Sequence, residues 1–219
     1  MADLRSEEEQ VQALKDWWKE NGKSLLIGIV FAVLIVAAWK AWQQRSQQQA
    51  EYASALYQNL LEAVVGSVSD QADEASLSTA RHLGEQLKTE FEGSAYARMA
   101  ALLMARLAVE RNELDVALAE LDWVQTHEPT AAQAVVVKLR KARILAAQGN
   151  VEQGLQLLDG LANAAFQARI DEVRGDLYLQ QGDRDNARKA YQTALAAGSS
   201  GAANPLLSVK LNDLAVEDK

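Results

Sequence analysis

The clearest pattern of hydrophobic and polar positions is an uncharged apolar run near the N-terminus, Ser24–Trp39. The run is apolar all round, whereas a helix in a soluble core is amphipathic. As a helix it would extend roughly 24 Å, and flanking lysine and tryptophan side chains can cover the rest of a ~30 Å hydrocarbon core. The flanking residues of this kind are Trp17, Trp18, Lys23, Trp39, Lys40 and Trp42. The pattern predicts a transmembrane helix over residues 23–42.

This helix is predicted to be an uncleaved anchor with a cytoplasmic N-terminus. A cleaved secretory signal begins with a short basic segment, but here residues 1–22 precede the run and contain several acidic side chains. The positive-inside rule counts Lys and Arg, and the lysines within residues 15–23 outnumber Lys40 and Arg45. The anchor is therefore expected to cross a bacterial inner membrane, with the residues after it in the periplasm. The alternative is the reversed orientation.

Residues 1–22 are predicted to form a short cytoplasmic helix. Ser6 and Glu9 have the spacing of a capping box, and Asn21-Gly22 is typical of a stop or a kink. The helix is therefore expected to run from Glu7 to about Glu20. It would either lie on the inner membrane surface or dock onto a partner in the membrane.

Residues 43–219 contain three copies of a helix–turn–helix pattern. The clearest copy, "VRGDLYLQQGDRDNARKAYQTAL", has the glycine, alanine and tyrosine spacing of a tetratricopeptide repeat. Its Ala187 is the small residue expected where two helices cross, and Gly154 and Ala117 precede it at close to the ~34-residue period. The predicted repeats span about residues 98–131, 135–167 and 168–200.

Further helices are predicted on both sides of the repeats. A helix from Gln48 to about Val65 is expected to pair with one over Ala75–Glu92, across a loop at residues 65–75. Pro205 opens a last helix, whose leucines on one face are typical of a cap over the final repeat. The predicted fold is all-α: one N-terminal transmembrane helix, then a tetratricopeptide-repeat-like α-solenoid with a C-terminal capping helix.

Stacked repeats of this kind form a groove that binds proteins. The residues carried over to that groove are Met99, Leu102 and Arg106 from the first copy, Val136, Leu139 and Arg143 from the second, and Arg169, Glu172 and Asp176 from the third. An apolar strip with a few arginines would suit an unfolded segment or a partner helix. The alternative is that Met99, Leu102, Val136 and Leu139 are buried against the preceding helices.

Composition and charge reduce the number of expected function classes. The chain has 22 Lys and Arg against 30 Asp and Glu, for a net charge of −8, so nucleic acid is not an expected partner. The basic stretch Lys138–Arg143 is interpreted as a solvated helix face. His82 and His127 are far apart and no cysteine is present, and no nucleophile or phosphate-loop pattern occurs. We therefore predict no catalytic, metal-binding or cofactor-binding residues and no enzyme.

The N-terminal pattern "EEEQVQALKDWWKENGKSLLIGIVFAVLIVAAWKAWQ" (Glu7–Gln43), with "RGDLYLQQGD" and "KLNDL" later in the chain, resembles the YfgM-type family of ancillary subunits of the SecYEG translocon. The resemblance covers nearly the full length. It implies an inner-membrane protein with a periplasmic repeat domain that associates with the translocon and with the membrane-anchored periplasmic chaperone PpiD. It also implies assistance to exported client proteins, and it transfers no catalytic residues.

The function predicted from the sequence is a non-catalytic translocon scaffold that links SecYEG to periplasmic chaperones. Two alternatives remain at this stage. The same anchor and repeats would serve another envelope complex, for cell-wall synthesis or outer-membrane assembly. With the reversed topology, the repeat domain would act as a cytoplasmic regulator.

Overall fold

The computed structural model describes residues 7–68, 74–198 and 205–216, and within these ranges the chain forms nine helices and no strand. Ser6 of the predicted capping box and residues 69–73 of the predicted loop at residues 65–75 lie outside the described residues. The helices are α1 (Glu7–Val68), α2 (Glu74–Glu90), α3 (Ala95–Glu110), α4 (Leu114–Thr126), α5 (Ala131–Ala147), α6 (Val151–Leu158), α7 (Gln167–Gln180), α8 (Arg184–Gly198) and α9 (Pro205–Val216).

The predicted helix end near Glu20 is wrong, because α1 continues through Asn21 and Gly22. Of the stop or kink predicted at this pair, the stop is therefore excluded. The Asn21 side-chain amide donates a hydrogen bond to the Trp17 carbonyl oxygen at 3.1 Å, within the helix. Gly22 is buried under the ring of Trp18, which lies 3.1 Å from the place a Cβ would occupy. Local side-chain contacts therefore compensate for two residues that usually end a helix.

The chain divides into two compact units, Met1–Tyr52 and Ala53–Lys219. In the described part of the first unit, no residue of the apolar window in α1 is buried by protein, and the mean hydropathy of this window is 2.3. Among the described residues, α1 is the one helix long and apolar enough to cross a membrane. The chain is thus compatible with a single-pass membrane protein, as the apolar run predicted.

The second unit is a stack of helix pairs, so the predicted all-α solenoid is confirmed. The three predicted repeats are the pairs α3/α4, α5/α6 and α7/α8. Before them, the last residues of α1 share a core with α2 and α3, in which Leu60, Leu87 and Ala100 are fully buried. After them, α9 packs its Leu207 and Leu214 against Tyr191, as expected for a capping helix.

The turn inside each repeat has the same backbone geometry. Asn112, Gly149 and Gly182 have positive φ angles of 61°, 87° and 85°, the left-handed conformation that ends many helices. In each turn the next N–H donates to the carbonyl five residues back. The N–H of Glu113 donates to the carbonyl of Ala108 at 2.8 Å, that of Asn150 to Leu145 at 2.8 Å, and that of Asp183 to Tyr178 at 2.9 Å. The left-handed residue and its hydrogen bond therefore recur in each repeat, as the two helices do.

Two glycines bring helices together, as the repeat pattern predicted. A Cβ on Gly154 would lie 2.7 Å from the Ala142 carbonyl oxygen and 2.8 Å from the Leu177 side chain. A Cβ on Gly175 would lie 2.4 Å from the ring of Tyr191. Both glycines are therefore required by close packing, not by an unusual backbone conformation.

Candidate partner-binding groove

The residues of the predicted groove lie along α3, α5 and α7, the first helices of the three repeats. The Arg140 guanidinium of α5 donates a hydrogen bond to the Leu102 carbonyl oxygen of α3 at 3.1 Å. In the other direction, the Arg143 guanidinium lies 3.7 Å from the Asp176 carboxylate of α7. The three helices therefore share one polar face, which joins the three repeats.

An apolar cavity of about 310 Å³ opens on this face between α3, α4 and α5. Its apolar wall is formed by Ala105, Val109, Leu121 and Ile144. Leu121 and Ile144 belong to the buried core, whereas Val109 is 43% exposed and lies at the mouth. Four charged residues complete the lining: Arg106, Glu110, Arg140 and Arg143.

The charges around the cavity are unequal. Three arginines surround it against one carboxylate, Glu110, which accepts a hydrogen bond from Arg106 Nε at 2.7 Å. Arg140 makes no salt bridge with any carboxylate in the described part of the chain. Burial, together with the nearby positive charge of Arg106, lowers the pKa of Arg140. The cavity mouth therefore carries excess positive charge in an otherwise acidic protein.

At α7 the same face carries acidic side chains that are paired with basic ones. Lys210 of α9 lies between two carboxylates, 3.1 Å from Glu172 Oε1 and 2.6 Å from Asp176 Oδ1. Arg169 donates to the second oxygen of Glu172 at 2.7 Å. The Tyr191 hydroxyl donates to Asp176 at 2.9 Å. The capping helix thus occupies this end of the groove by placing a cation on two acids.

The pKa values of this cluster follow from its contacts. Burial alone would raise the pKa of Glu172, but hydrogen bonds and charges from Arg169 and Lys210 bring it below its usual value. Burial and the hydrogen bond to Asp176 raise the pKa of Tyr191. Glu172 is therefore held as a carboxylate, which keeps Lys210 and α9 in place.

The four apolar residues of the predicted strip do not share one environment. Met99 is 40% exposed, and Leu102 and Val136 are half-buried. Leu139 is 4% exposed and belongs to the core between α5, α6 and α7. The interpretation of these four as an exposed strip is therefore wrong for Leu139, since its side chain points into the stack.

The charged groove residues are divided between the two ends. Arg106 and Arg143 lie at the cavity, and Arg169, Glu172 and Asp176 lie at the α7 cluster. Sequence reasoning missed Arg140 and Lys210. The basic stretch Lys138–Arg143 was a signal for Arg140, but its position on the helix, half-buried against α3, depends on contacts between repeats.

The two histidines have ordinary structural surroundings. His82 is exposed on α2. His127 stacks on Trp123 with ring centroids 3.8 Å apart, and its Nε2 lies 2.9 Å from a Glu92 carboxylate oxygen. No group of three or more potential metal ligands occurs in the ranges that the structure describes. The contact between His127 and Glu92 joins the end of α4 to the turn after α2.

Stacked helix pairs of this kind define a tetratricopeptide-repeat-like scaffold, which here follows an apolar N-terminal helix. The family profile for the tetratricopeptide repeat-like domain matches residues 15–216. The chain therefore belongs to this family. No solved structure gives a significant match to the chain.

Similar proteins match nearly the whole chain, and they share one name, ancillary SecYEG translocon subunit. The Haemophilus influenzae protein is 29% identical over 98% of this chain and 100% of its own length. The Escherichia coli protein is 28% identical over 96% of this chain and 98% of its own. The Neisseria gonorrhoeae protein is 26% identical over 98% and 100%. The resemblance to the YfgM-type family is thus confirmed.

Proposed function

We propose that this protein is a non-catalytic ancillary subunit of the SecYEG translocon. In this proposal α1 crosses the bacterial inner membrane once, with its N-terminus in the cytoplasm, and the helical unit works in the periplasm. There it links the translocon to a PpiD-type chaperone and assists exported proteins. The observation that carries the proposal is the end-to-end match to relatives with that name.

Physical features of the chain support the membrane span, its orientation and the scaffold role in this proposal. The uncovered apolar window of α1 suits a lipid environment. The lysine excess before this window favours a cytoplasmic N-terminus. Stacked helix pairs offer extended surfaces for protein partners, and the groove along α3, α5 and α7 is such a surface.

The experiment that tests the proposal is a pull-down of the full-length protein in mild detergent, with partners identified by mass spectrometry. A matched protein has residues 1–43 replaced by an unrelated single-pass anchor. We expect SecYEG subunits and a periplasmic chaperone with the natural protein. Loss of SecYEG with the replaced anchor would assign the translocon contact to the N-terminal pattern.

Two results would contradict the proposal. Recovery of cell-wall or outer-membrane assembly proteins without SecYEG would make the protein a scaffold for another envelope complex. A reporter fused after Lys219 tests orientation separately: activity of a cytoplasm-specific reporter, and none of a periplasm-specific one, would reverse the topology.

A further inference from the structure

We propose that the cavity between α3, α4 and α5 is a binding site for a peptide segment of a partner protein that carries acidic side chains beside one apolar side chain. This inference rests on the proposed function, because it gives the chemistry of a partner for the repeat scaffold. The segment would insert its apolar side chain into the cavity and place its carboxylates against Arg106, Arg140 and Arg143.

The apolar part of the cavity decides what enters it. Leu121 and Ile144 form its base, and the partly exposed Val109 stands at its mouth. A volume of about 310 Å³ is at the lower end of the range of ligand sites, roughly 300–1,000 Å³. Filling it with an apolar side chain removes apolar surface from water on both partners. A bare inorganic anion would leave this surface exposed.

The three arginines at the cavity favour a negatively charged segment. Arg140 is half-buried without a salt bridge to any described carboxylate, and Arg106 repels it. The side chain of Arg143 is 41% exposed, and its guanidinium lies 3.7 Å from its acidic neighbour, Asp176. This distance leaves donors for a further carboxylate. Guanidinium groups bind carboxylates in a planar, two-pronged geometry. An acidic segment would therefore relieve the repulsion and satisfy these donors.

The other end of the groove shows how this face accepts a helix. There the capping helix places Lys210 on Glu172 and Asp176, so the surface and the segment on it have opposite charges. At the cavity the surface is basic and no described segment of the chain covers it. The opposite charge on a segment docked there would be negative.

A protein segment fits better than a lipid surface or a nucleic acid. The protein has a net charge of −8, so a large anionic surface would be repelled by most of the molecule. A short segment contacts only the local basic patch and avoids that repulsion. The site is therefore selective for a small acidic motif.

The test measures binding of fluorescein-labelled dodecapeptides to the full-length protein in detergent, by fluorescence anisotropy. Each peptide has one Leu or Phe flanked by one to three Asp in a Gly/Ser background, and each control peptide has Asn in place of Asp. We expect the Asp peptides to bind about tenfold more tightly than the Asn peptides, with binding weakened by salt.

Variants of the protein assign the site. Arg106→Gln with Arg143→Gln removes two exposed charges, so the fold should persist, and we expect about tenfold weaker binding of the Asp peptides. Val109→Asp places a competing carboxylate at the cavity mouth and should have a similar effect. The charge-matched control, Arg81→Gln with Lys189→Gln, changes exposed residues elsewhere in the unit and should bind within about twofold of the natural protein. Circular dichroism melts check that every variant is folded.

Several results would overturn the inference. These are the absence of binding by all Asp peptides, equal binding of Asp and Asn peptides, or equal weakening by the control pair. Arginine-dependent binding to phosphatidylglycerol vesicles without peptide binding would replace the peptide with a lipid surface. Recovery of SecYEG in the pull-down is a separate readout. If SecYEG is recovered and the peptides do not bind, this inference fails and the proposed function stands. If the peptides bind and SecYEG is not recovered, the proposed function fails.

Discussion

Gly175 and Tyr191 form the tightest side-chain approach among the described glycines, and this contact fixes the crossing of α7 and α8. Tyr191 is 1% exposed, and its hydroxyl donates a hydrogen bond to Asp176 on α7. One aromatic side chain thus links the core of the third repeat to the charged cluster under α9.

Gly175→Ala should destabilise the helical unit. The new Cβ would lie 2.4 Å from Tyr191 Cε1, so the buried ring must move, and overpacking of this kind costs about 1–3 kcal/mol. The change would be measured by thermal unfolding of the full-length protein in detergent. Gly93→Ala is the matched control, because no atom lies within 4 Å of its Cβ position. An equal loss in both variants would contradict the packing argument.

Glu172 gives a pH dependence with a definite sign. Its pKa is lower in the folded protein, so its ion pairs with Arg169 and Lys210 contribute stability above the unfolded pKa of about 4.3. That contribution is lost as the pH falls through the lower folded-state pKa. Glu172→Gln should therefore be less stable than the natural protein at pH 7, and the difference should shrink toward pH 3.

Thermal unfolding of both proteins at pH values from 7 to 3 measures this effect. Asp185→Gln is the control, since Asp185 is exposed and pairs only at 3.6 Å with Arg188, and it should change stability little at any pH. A constant difference between Glu172→Gln and the natural protein across the whole range would refute the assignment.

At the scale of elements, each repeat is defined by its turn as much as by its helices. The left-handed residue in the turn is Asn112, Gly149 or Gly182, and the following N–H always donates five residues back. Asparagine is the non-glycine residue that enters this conformation most readily. The first repeat thus keeps the turn without glycine.

Gly149→Ala should lower the free energy of unfolding by about 1 kcal/mol, because alanine disfavours the left-handed conformation at φ 87°. Gly149→Asn should cost less, since Asn112 adopts the same conformation in the first repeat. Urea unfolding of the full-length protein in detergent gives both values. A greater loss for Asn than for Ala would mean that space, not backbone conformation, determines this turn.

At the scale of the whole molecule, the apolar part of α1 is compatible with a single membrane span. Ten Leu, Ile, Val and Phe side chains lie between Ser24 and Trp39, and they favour insertion by roughly 3–6 kcal/mol. No protein surface in the described part of the unit covers them, so they would be exposed to water outside a membrane.

Val30→Arg with Val33→Arg should abolish stable insertion. Each arginine near the centre of the span costs about 2.5–3.5 kcal/mol, and the two together match or exceed the favourable contribution of the run. Extraction of membranes with alkaline carbonate measures the result, and we expect the variant in the soluble fraction. Gln10→Arg with Gln12→Arg adds the same charge before the anchor and should stay in the membrane pellet. Retention of the Val30/Val33 variant in that pellet would contradict the proposed anchor.

The sequence by itself determined the apolar helix, the repeat period and the capping helix, because each depends on local features. Hydrophobicity over one run decides whether a helix suits a bilayer. The spacing of Gly175, Ala187 and Tyr191 decides that two neighbouring helices can cross closely. These patterns need no knowledge of distant contacts. The helix pairs and the capping helix appear in the structure as predicted, and α1 contains an apolar run that is long enough to cross a membrane.

Only the tertiary structure decided which groove residues are available. Leu139 is buried because α6 and α7 pack against it. Arg140 donates to the Leu102 carbonyl oxygen of α3 and to no carboxylate among the described residues. Lys210 meets Glu172, which lies 38 residues away in the chain. Burial and ion pairing are set by side-chain contacts in three dimensions, many of them between residues distant in the chain, and residue spacing alone does not encode them.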